Sequence, residues 1–346
     1  MGSKQFFPNN IIAVLGAGKF GTAVANLMAP NVGHVLLYTH KAERALASQI
    51  NHSIADQPLA ANVVVTDDLL TVLHSCSIIF PVVPAAKFRG LMQQIASDLR
   101  PDHILIHGTK GLDLAQYEVT LTRSHVSTMS EVIMQETIIR QIGCIAGPNL
   151  SSDLVKTHPA VTVVASAAEK VLSIGKQLLT RNWFRVYTSH DLRSVEMCSV
   201  LKNIFAIGAG IIQGMDYQCN TYAFFLTMSI AEMHHIMTTM GLGTSALLGP
   251  AGLGDLLATC SSTASRNYTI GYRLAKGEKL IDILNATKEV CEGVQTVKVI
   301  HQLMQFYRRQ APITAIIYRI LFEELPLKKG LTYLMRDSKR SIYPLT

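Results

Sequence analysis

Between Glu196 and Asp216 the only charged side chain is Lys202, set in the run MCSVLKNIFAIGAGIIQG. That run has helical spacing and is apolar on nearly every face. Burying an ammonium costs on the order of several kcal/mol, so such a group needs a partner or a task. Ser199 and Ala206, one turn away on the lysine's side, are small and leave room there for a ligand. Asn203 follows directly. A lysine snorkelling from a helix edge is the bland alternative, and apolar neighbours over several turns on both sides argue against it. A cation held in such a place can stabilise charge building on a carbonyl oxygen and supply the proton.

A second cluster runs Gly249-Pro250-Ala251-Gly252-Leu253-Gly254-Asp255, then Thr259-Cys260, then Ser262-Thr263-Ala264-Ser265-Arg266-Asn267. Three glycines ahead of an aspartate suggest a backbone brought close to something. The guanidinium fork of Arg266 and the amide of Asn267 suit a phosphate. Farther on, Cys291-Glu292-Gly293-Val294-Gln295-Thr296 sets an acid beside a glycine.

Near the start, IIAVLGAGKFG places Gly16, Gly18 and Gly21 as G-x-G-x-x-G between an apolar run and a segment of helical spacing. Gly16 allows the tight turn, Gly18 lets the backbone approach a pyrophosphate, and Gly21 lets strand and helix pack closely. The pyrophosphate would sit on the N-terminus of a helix beginning near Phe20. Lys19 is an unexpected cation within that loop. About 20 residues on, an acid would hold the ribose 2′-hydroxyl of NAD. The residues there are Tyr38-Thr39-His40-Lys41, followed by Glu43 and Arg44, a set that leans toward the 2′-phosphate of NADP over NAD. His107-Gly108-Thr109-Lys110-Gly111 and Ala146-Gly147-Pro148-Asn149 each end an apolar run, where ligands bind in open α/β sheets.

The elements that must carry these groups follow from hydrophobic pattern. Residues 11–15, 35–38, 63–66, 77–83, 103–107 and 144–146 are short branched-apolar runs, and 160–165 and 184–187 add two more at an edge. Helical spacing fills several gaps, as at 22–28 and 42–50. This alternation is the pattern of a parallel sheet covered on both faces. After Tyr187 helical periodicity dominates, with Thr188-Ser189-His190-Asp191 as N-cap candidates before the run 192–214. The expected fold class is α/β: an N-terminal Rossmann-type doubly wound sheet over 1–188, then an all-α domain over 189–346.

The chain has 346 residues, which fits two domains. Its 31 Lys and Arg against 24 Asp and Glu give +7, dispersed without a run of like charges. A nucleic-acid arm is thereby excluded, and the excess suits a small phosphorylated partner. No run reaches the roughly 18 apolar residues of a membrane span, and the most hydrophobic segment, 204–212, is short. No membrane insertion is expected. The N-terminus lacks a signal-peptide pattern, and Phe6 stands where a myristoylation motif after Gly2 needs Ser or Thr. The six cysteines have no C-x-x-C pair and read as small buried residues in a reducing cytoplasm. No metal is expected, because no His, Cys or Asp cluster has ligand spacing and His234-His235 are adjacent. No G-x-S-x-G elbow points to hydrolysis.

Taken in order, GAGKFG, TKGL at 109–112, GPN at 147–149, LKNIFAIGAGIIQG at 201–214, AGLGDL at 251–256, SRN at 265–267 and EGVQT at 292–296 span nearly the whole chain. In this the sequence resembles the soluble NAD(P)-dependent glycerol-3-phosphate dehydrogenases, the bacterial form most closely. The resemblance implies a 6-phosphogluconate-dehydrogenase-like architecture and interconversion of dihydroxyacetone phosphate and sn-glycerol 3-phosphate, the latter feeding phospholipid synthesis. It implies that Lys202 is the catalytic acid/base, with Asp255 and Lys110 in its support. It places Lys110, Gly147, Asn149, Asn203, Asp255, Thr259, Ser265, Arg266 and Asn267 around the substrate. It places Lys19, Phe20, His40, Lys110, Ser151, Arg266, Val290, Glu292 and Gln295 beside the dinucleotide, and it implies a homodimer.

The sequence departs from the family's pattern at Lys19, where Asn or Ser is usual, and at His40, where Arg is common. Ser151 replaces Ala, and Thr227-Met228-Ser229 replaces T-R-G. Two other readings share the architecture: another hydroxyacid-type dehydrogenase and a non-catalytic dinucleotide-binding relative. The AGLGDL and SRN segments argue against the first, and the intact Lys110, Lys202, Asp255 and Arg266 against the second.

Overall fold

The computed structural model describes residues 10–115, 121–287 and 291–336. It divides into two compact units, one of residues up to Asp113 with Ser127–Leu192, the other of Leu114–Val126 with the residues from Arg193 on. The described residues 114–115 and 121–126 thus group with the helical part of the chain, which apolar periodicity around them does not signal.

The first unit is built on eight strands: β1 Ile11–Leu15, β2 His34–Tyr38, β3 Val63–Thr66, β4 Ile78–Pro81, β5 Ile104–His107, β6 Gln141–Ala146, β7 Ala160–Ala165 and β8 Phe184–Ser189. They form one sheet in the order β8-β7-β6-β5-β4-β1-β2-β3. Branched apolar side chains make these strands, because period-two alternation serves both covered faces at once. In β1, Ile12 and Val14 face one core with Val35, Leu37, Phe80 and Ile106, while Ala13 and Leu15 face the other with Ile79 and Leu105. Helix α1 (Lys19–Met28) covers the first face with Val24, Leu27 and Met28. Phe88, Met92 and Ile95 of the helix Ala85–Ile95 cover the second. Each such side chain fully buried contributes roughly 1.5–3 kcal/mol.

Six of the eight strands, β3 through β6 in sheet order, run parallel as the apolar runs lead one to expect. The exceptions are β7, which pairs antiparallel with β6 at Cys144↔Ala165, and β8, which follows the direction of β7. The link between them holds only a five-residue helix, Ser151–Val155, whereas a parallel return uses a longer crossover helix. The eleven-residue helix Glu169–Leu179 supplies such a crossover between β7 and β8, and that pair is parallel.

The second unit is helical and is organised on α2 (Leu192–Gly214), buried over most of its length. By length and composition α2 is apolar enough to cross a membrane, a possibility that counting uninterrupted apolar residues misses; its most apolar window is entirely buried, as in a core helix. Two further helices matter here, α3 (Cys219–Thr239) and, after a π-type turn at Pro250–Gly254, α4 (Asp255–Cys260). They are followed by α5 (Arg266–Ala275) and α6 (Glu292–Phe306).

Backbone contact joins α2 to α5. A Cβ on Gly210 would lie 2.0 Å from the Tyr268 carbonyl oxygen, and one on Gly271 1.9 Å from that of Ile207. The glycines that look like interruptions of an apolar helix are therefore its docking surface. Elsewhere in this unit the enclosed Glu232 carboxylate accepts from the amides of Ile313 (2.7 Å) and Thr314 (2.8 Å), capping the helix Pro312–Phe322. Burial outweighs these bonds and pushes its pKa up to about 7.

The cysteines correct one expectation. Cys76, Cys144, Cys198 and Cys260 are buried, but Cys219 is exposed and Cys291 half-buried, and none of the six is in a disulfide.

Candidate active site

In the first unit the glycine loop lies between β1 and α1. Gly16 takes φ +124°, and a Cβ there would meet the Val82 carbonyl oxygen at 2.3 Å; one on Gly21 would meet that of Gly16 at 1.9 Å. These two glycines are needed by the protein's own packing. Gly18, the N-cap of α1, is different: a Cβ there meets nothing within 4 Å. The open space lies at the helix end, where backbone N–H groups favour an anion, so the loop fits a dinucleotide pyrophosphate.

Lys19 is the first residue of α1 and not a loop residue, which places its ammonium on the same helix end. Its nearest acid is Asp56 at 4.0 Å, and both side chains are largely exposed. Phe20 is half-buried, with its ring edge toward Gly108 at the end of β5. His40, Lys41 and Arg44 are exposed beyond the end of β2. Sequence reasoning did not single out Gln57, whose buried amide donates to the Lys19 carbonyl at 2.9 Å; its signal is only that of a polar residue in a short hairpin.

At the ends of β5 and β6, Lys110 donates to the Gly147 carbonyl at 3.3 Å. The Thr109 hydroxyl anchors that loop on the Val83 carbonyl at 2.6 Å. The Asn149 amide donates to the Thr162 hydroxyl (2.7 Å), which itself donates to the Ala146 carbonyl (2.9 Å). That chain of bonds fixes the amide's orientation and turns Oδ1 the other way. Oδ1 is buried with no hydrogen-bond partner among the described residues, an acceptor suited to a ligand hydroxyl. Ser151 opens the short helix after this turn and is half-buried.

In the second unit, Lys202 is 5% exposed, which rules out snorkelling. Its ammonium lies 2.5 Å from the Asp255 carboxylate and donates to the Thr259 hydroxyl at 2.7 Å. Thr259 passes its own hydrogen back to the Asp255 carbonyl at 2.6 Å, one turn earlier on α4. The spacing of Asp255 and Thr259, i and i+4, is what puts both on the face toward Lys202. Buried Cys260 lies beside this pair; burial pushes its thiol up to about 12, so it stays neutral. Asn203 is buried next to the lysine on α2.

The phosphate-type residues open α5. Ser265 is its N-cap, its hydroxyl accepting from the Tyr268 amide at 3.3 Å, so its first role is to cap the helix. Arg266 is exposed at the first helical position, and Asn267 is buried behind it. The Asn267 side-chain Oδ1 accepts from the Gly293 amide at 3.1 Å, which ties the start of α6 to the start of α5. Glu292, half-buried, and Gln295, exposed, lie on the first turn of α6. Val290 lies outside the described residues.

The model for the NAD-dependent glycerol-3-phosphate dehydrogenase N-terminus matches residues 11–172, and that for its C-terminus matches 191–332. A glycerol-3-phosphate dehydrogenase [NAD(P)+] of Leuconostoc mesenteroides is 35% identical over 340 residues, 95% of this chain and 98% of that protein. One from Teredinibacter turnerae is 32% identical, covering 95% and 96%. The solved glycerol-3-phosphate dehydrogenase of Coxiella burnetii superposes with a TM-score of 0.85 at 28% identity, over 95% of this chain and 99% of that one. Matched over both domain models and nearly end to end with such relatives, the chain belongs to the NAD-dependent glycerol-3-phosphate dehydrogenase family.

Proposed function

We propose that this protein interconverts dihydroxyacetone phosphate and sn-glycerol 3-phosphate with NADPH or NADH. The observation that carries the reading is the buried Lys202 ammonium held by Asp255 and Thr259. When bound, the dinucleotide supplies the hydride in one direction and accepts it in the other. Lys202 stabilises the charge that builds on the carbonyl oxygen and donates the proton that completes the alcohol. In the reverse direction the neutral amine takes that proton back. Asp255 orients the ammonium, and Thr259 fixes a second N–H direction. Arg266 and Asn267 hold the phosphate, which positions the carbonyl carbon. Lys110 and Asn149 supply a cation and an acceptor for the remaining substrate oxygens.

The glycine loop holds the pyrophosphate, with Lys19 adding a positive charge to the amides of α1. His40, Lys41 and Arg44 favour the 2′-phosphate and hence NADP. Family resemblance supports a cytoplasmic homodimer whose product feeds phospholipid synthesis.

The test is oxidation of NADPH and NADH with dihydroxyacetone phosphate, followed by absorbance. No turnover with either cofactor overturns the reading. Arg266→Ala should raise KM for dihydroxyacetone phosphate by about 10- to 100-fold, as expected for a lost charge-assisted contact of roughly 1.5–3 kcal/mol. Steady-state kinetics with varied substrate reads this directly, and an unchanged KM removes Arg266 from phosphate binding.

A further inference from the structure

Helix α4 carries both partners of Lys202 yet has only six residues, too few to hold its own shape in water. Its geometry is imposed from its ends. At the N-terminal side, the Leu253 amide donates to the Leu247 carbonyl at 2.7 Å. Gly252 sits so close to that carbonyl that a Cβ would lie 2.1 Å from its oxygen. At the C-terminal side the Tyr222 hydroxyl donates to the Cys260 carbonyl at 2.5 Å. This is one of the helix's last carbonyls, which no amide within the helix can satisfy.

Tyr222 is on α3, and α3 is itself seated on the lysine's helix. Phe225, one turn from Tyr222, fills the notch at Gly208 of α2, where a Cβ would lie 2.4 Å from the ring. A closed circuit results: α2 carries Lys202, α3 rests on α2 through Phe225, and α3 holds α4 through Tyr222.

We infer that Tyr222 is a positioning residue for the proposed reaction, setting the distance from Asp255 and Thr259 to the Lys202 ammonium by clamping the end of α4. Burial, the largest influence, pushes the Tyr222 phenol up to about 12, so it remains a donor throughout the working pH range. Without its hydroxyl the end of α4 is free to shift. A displacement of about 1 Å at reacting groups lowers rates by as much as about 100-fold.

The inference rests on the proposed reaction, and its test has one arm that needs no turnover. In Tyr222→Phe, kcat is expected to fall about 10-fold while KM for dihydroxyacetone phosphate stays within about two-fold. An NMR titration of the labelled lysines, with Lys202→Ala assigning the signal, should show Lys202 losing its proton at lower pH than in the unaltered protein. The sign follows because a more distant Asp255 stabilises the ammonium less, and Cys260 stays neutral in that range. Tyr222→Gln, which keeps a donor, should recover part of both changes. An unchanged kcat and lysine titration in Tyr222→Phe, with or without a lower melting temperature, overturns the inference. So does equal behaviour of the Phe and Gln variants. If the unaltered protein fails to turn over, the proposed reaction falls, while the titration still decides whether Tyr222 governs the Lys202–Asp255 pair.

Discussion

Lys202→Ala is expected to lower kcat by about three to four orders of magnitude while dinucleotide affinity changes less than about two-fold. General acid catalysis contributes about 10²–10⁴, and a preorganised donor at a developing oxyanion about 10²–10³; the two roles share one ammonium, so their product is not expected. The residues proposed to hold the dinucleotide lie on other elements, which is why binding is expected to survive. Stability is a separate matter. The substitution leaves Asp255, 2% exposed, without its cation, and breaking a buried pair in this way costs about 3–5 kcal/mol. The double variant Lys202→Ala/Asp255→Asn removes the stranded charge and should regain most of that stability without regaining activity. Stopped-flow oxidation of NADPH, fluorescence titration of the dinucleotide and thermal melts read the three quantities. Substantial turnover in the single variant, once shown to be folded, removes the lysine from its role.

Gly271→Ala should destabilise the helical unit by about 3 kcal/mol or prevent it from folding. The added methyl would lie 1.9 Å from the Ile207 carbonyl oxygen and 2.9 Å from the Ile211 amide nitrogen. Neither atom belongs to a side chain that could swing away. The two helices must separate, and overpacking of this kind costs typically about 1–3 kcal/mol, more when backbone is the obstacle. Activity in any folded remainder should fall as well, because α2 carries Lys202 and α5 carries Arg266. Gly90→Ala is the matched control: it lies in a helix with nothing within 4 Å of the new Cβ, and it should be neutral or stabilising by up to about 1 kcal/mol. Denaturant unfolding of both variants compares them, and equal stability would show that the glycine contact carries no energy.

Much of this architecture is readable from residue pattern. Branched-apolar runs locate all eight strands of the main sheet, because a strand buried on both faces leaves no polar side to confuse the period. The bounds of α2, 192–214, coincide with the apolar run after the Thr-Ser-His-Asp stretch. Lys202 stood out because a lone cation in an apolar helix violates local composition. What pattern could not supply is partnership across distance. Asp255 is 53 positions from Lys202, and only the fold brings it to 2.5 Å. The reversal of β7 depends on how short the preceding helix is, and its apolar run reads the same in either direction. Ser265, which the resemblance places at the substrate, also caps α5 through its contact with the Tyr268 amide, and residue pattern did not signal that cap. Tyr222 carries no signal of its own, since one tyrosine in a long helix is unremarked until its hydroxyl is seen on α4.

The helix that carries Lys202 has a consequence beyond catalysis. Over its most apolar window, α2 shows no side to water, and its mean hydropathy there is 1.6. Its solubility therefore depends on neighbours that must be in place around it. When heat or denaturant opens the helical unit, this segment can meet like segments from other molecules as well as its own neighbours. Refolding then competes with association between chains, so the fraction of native protein recovered should fall as protein concentration rises.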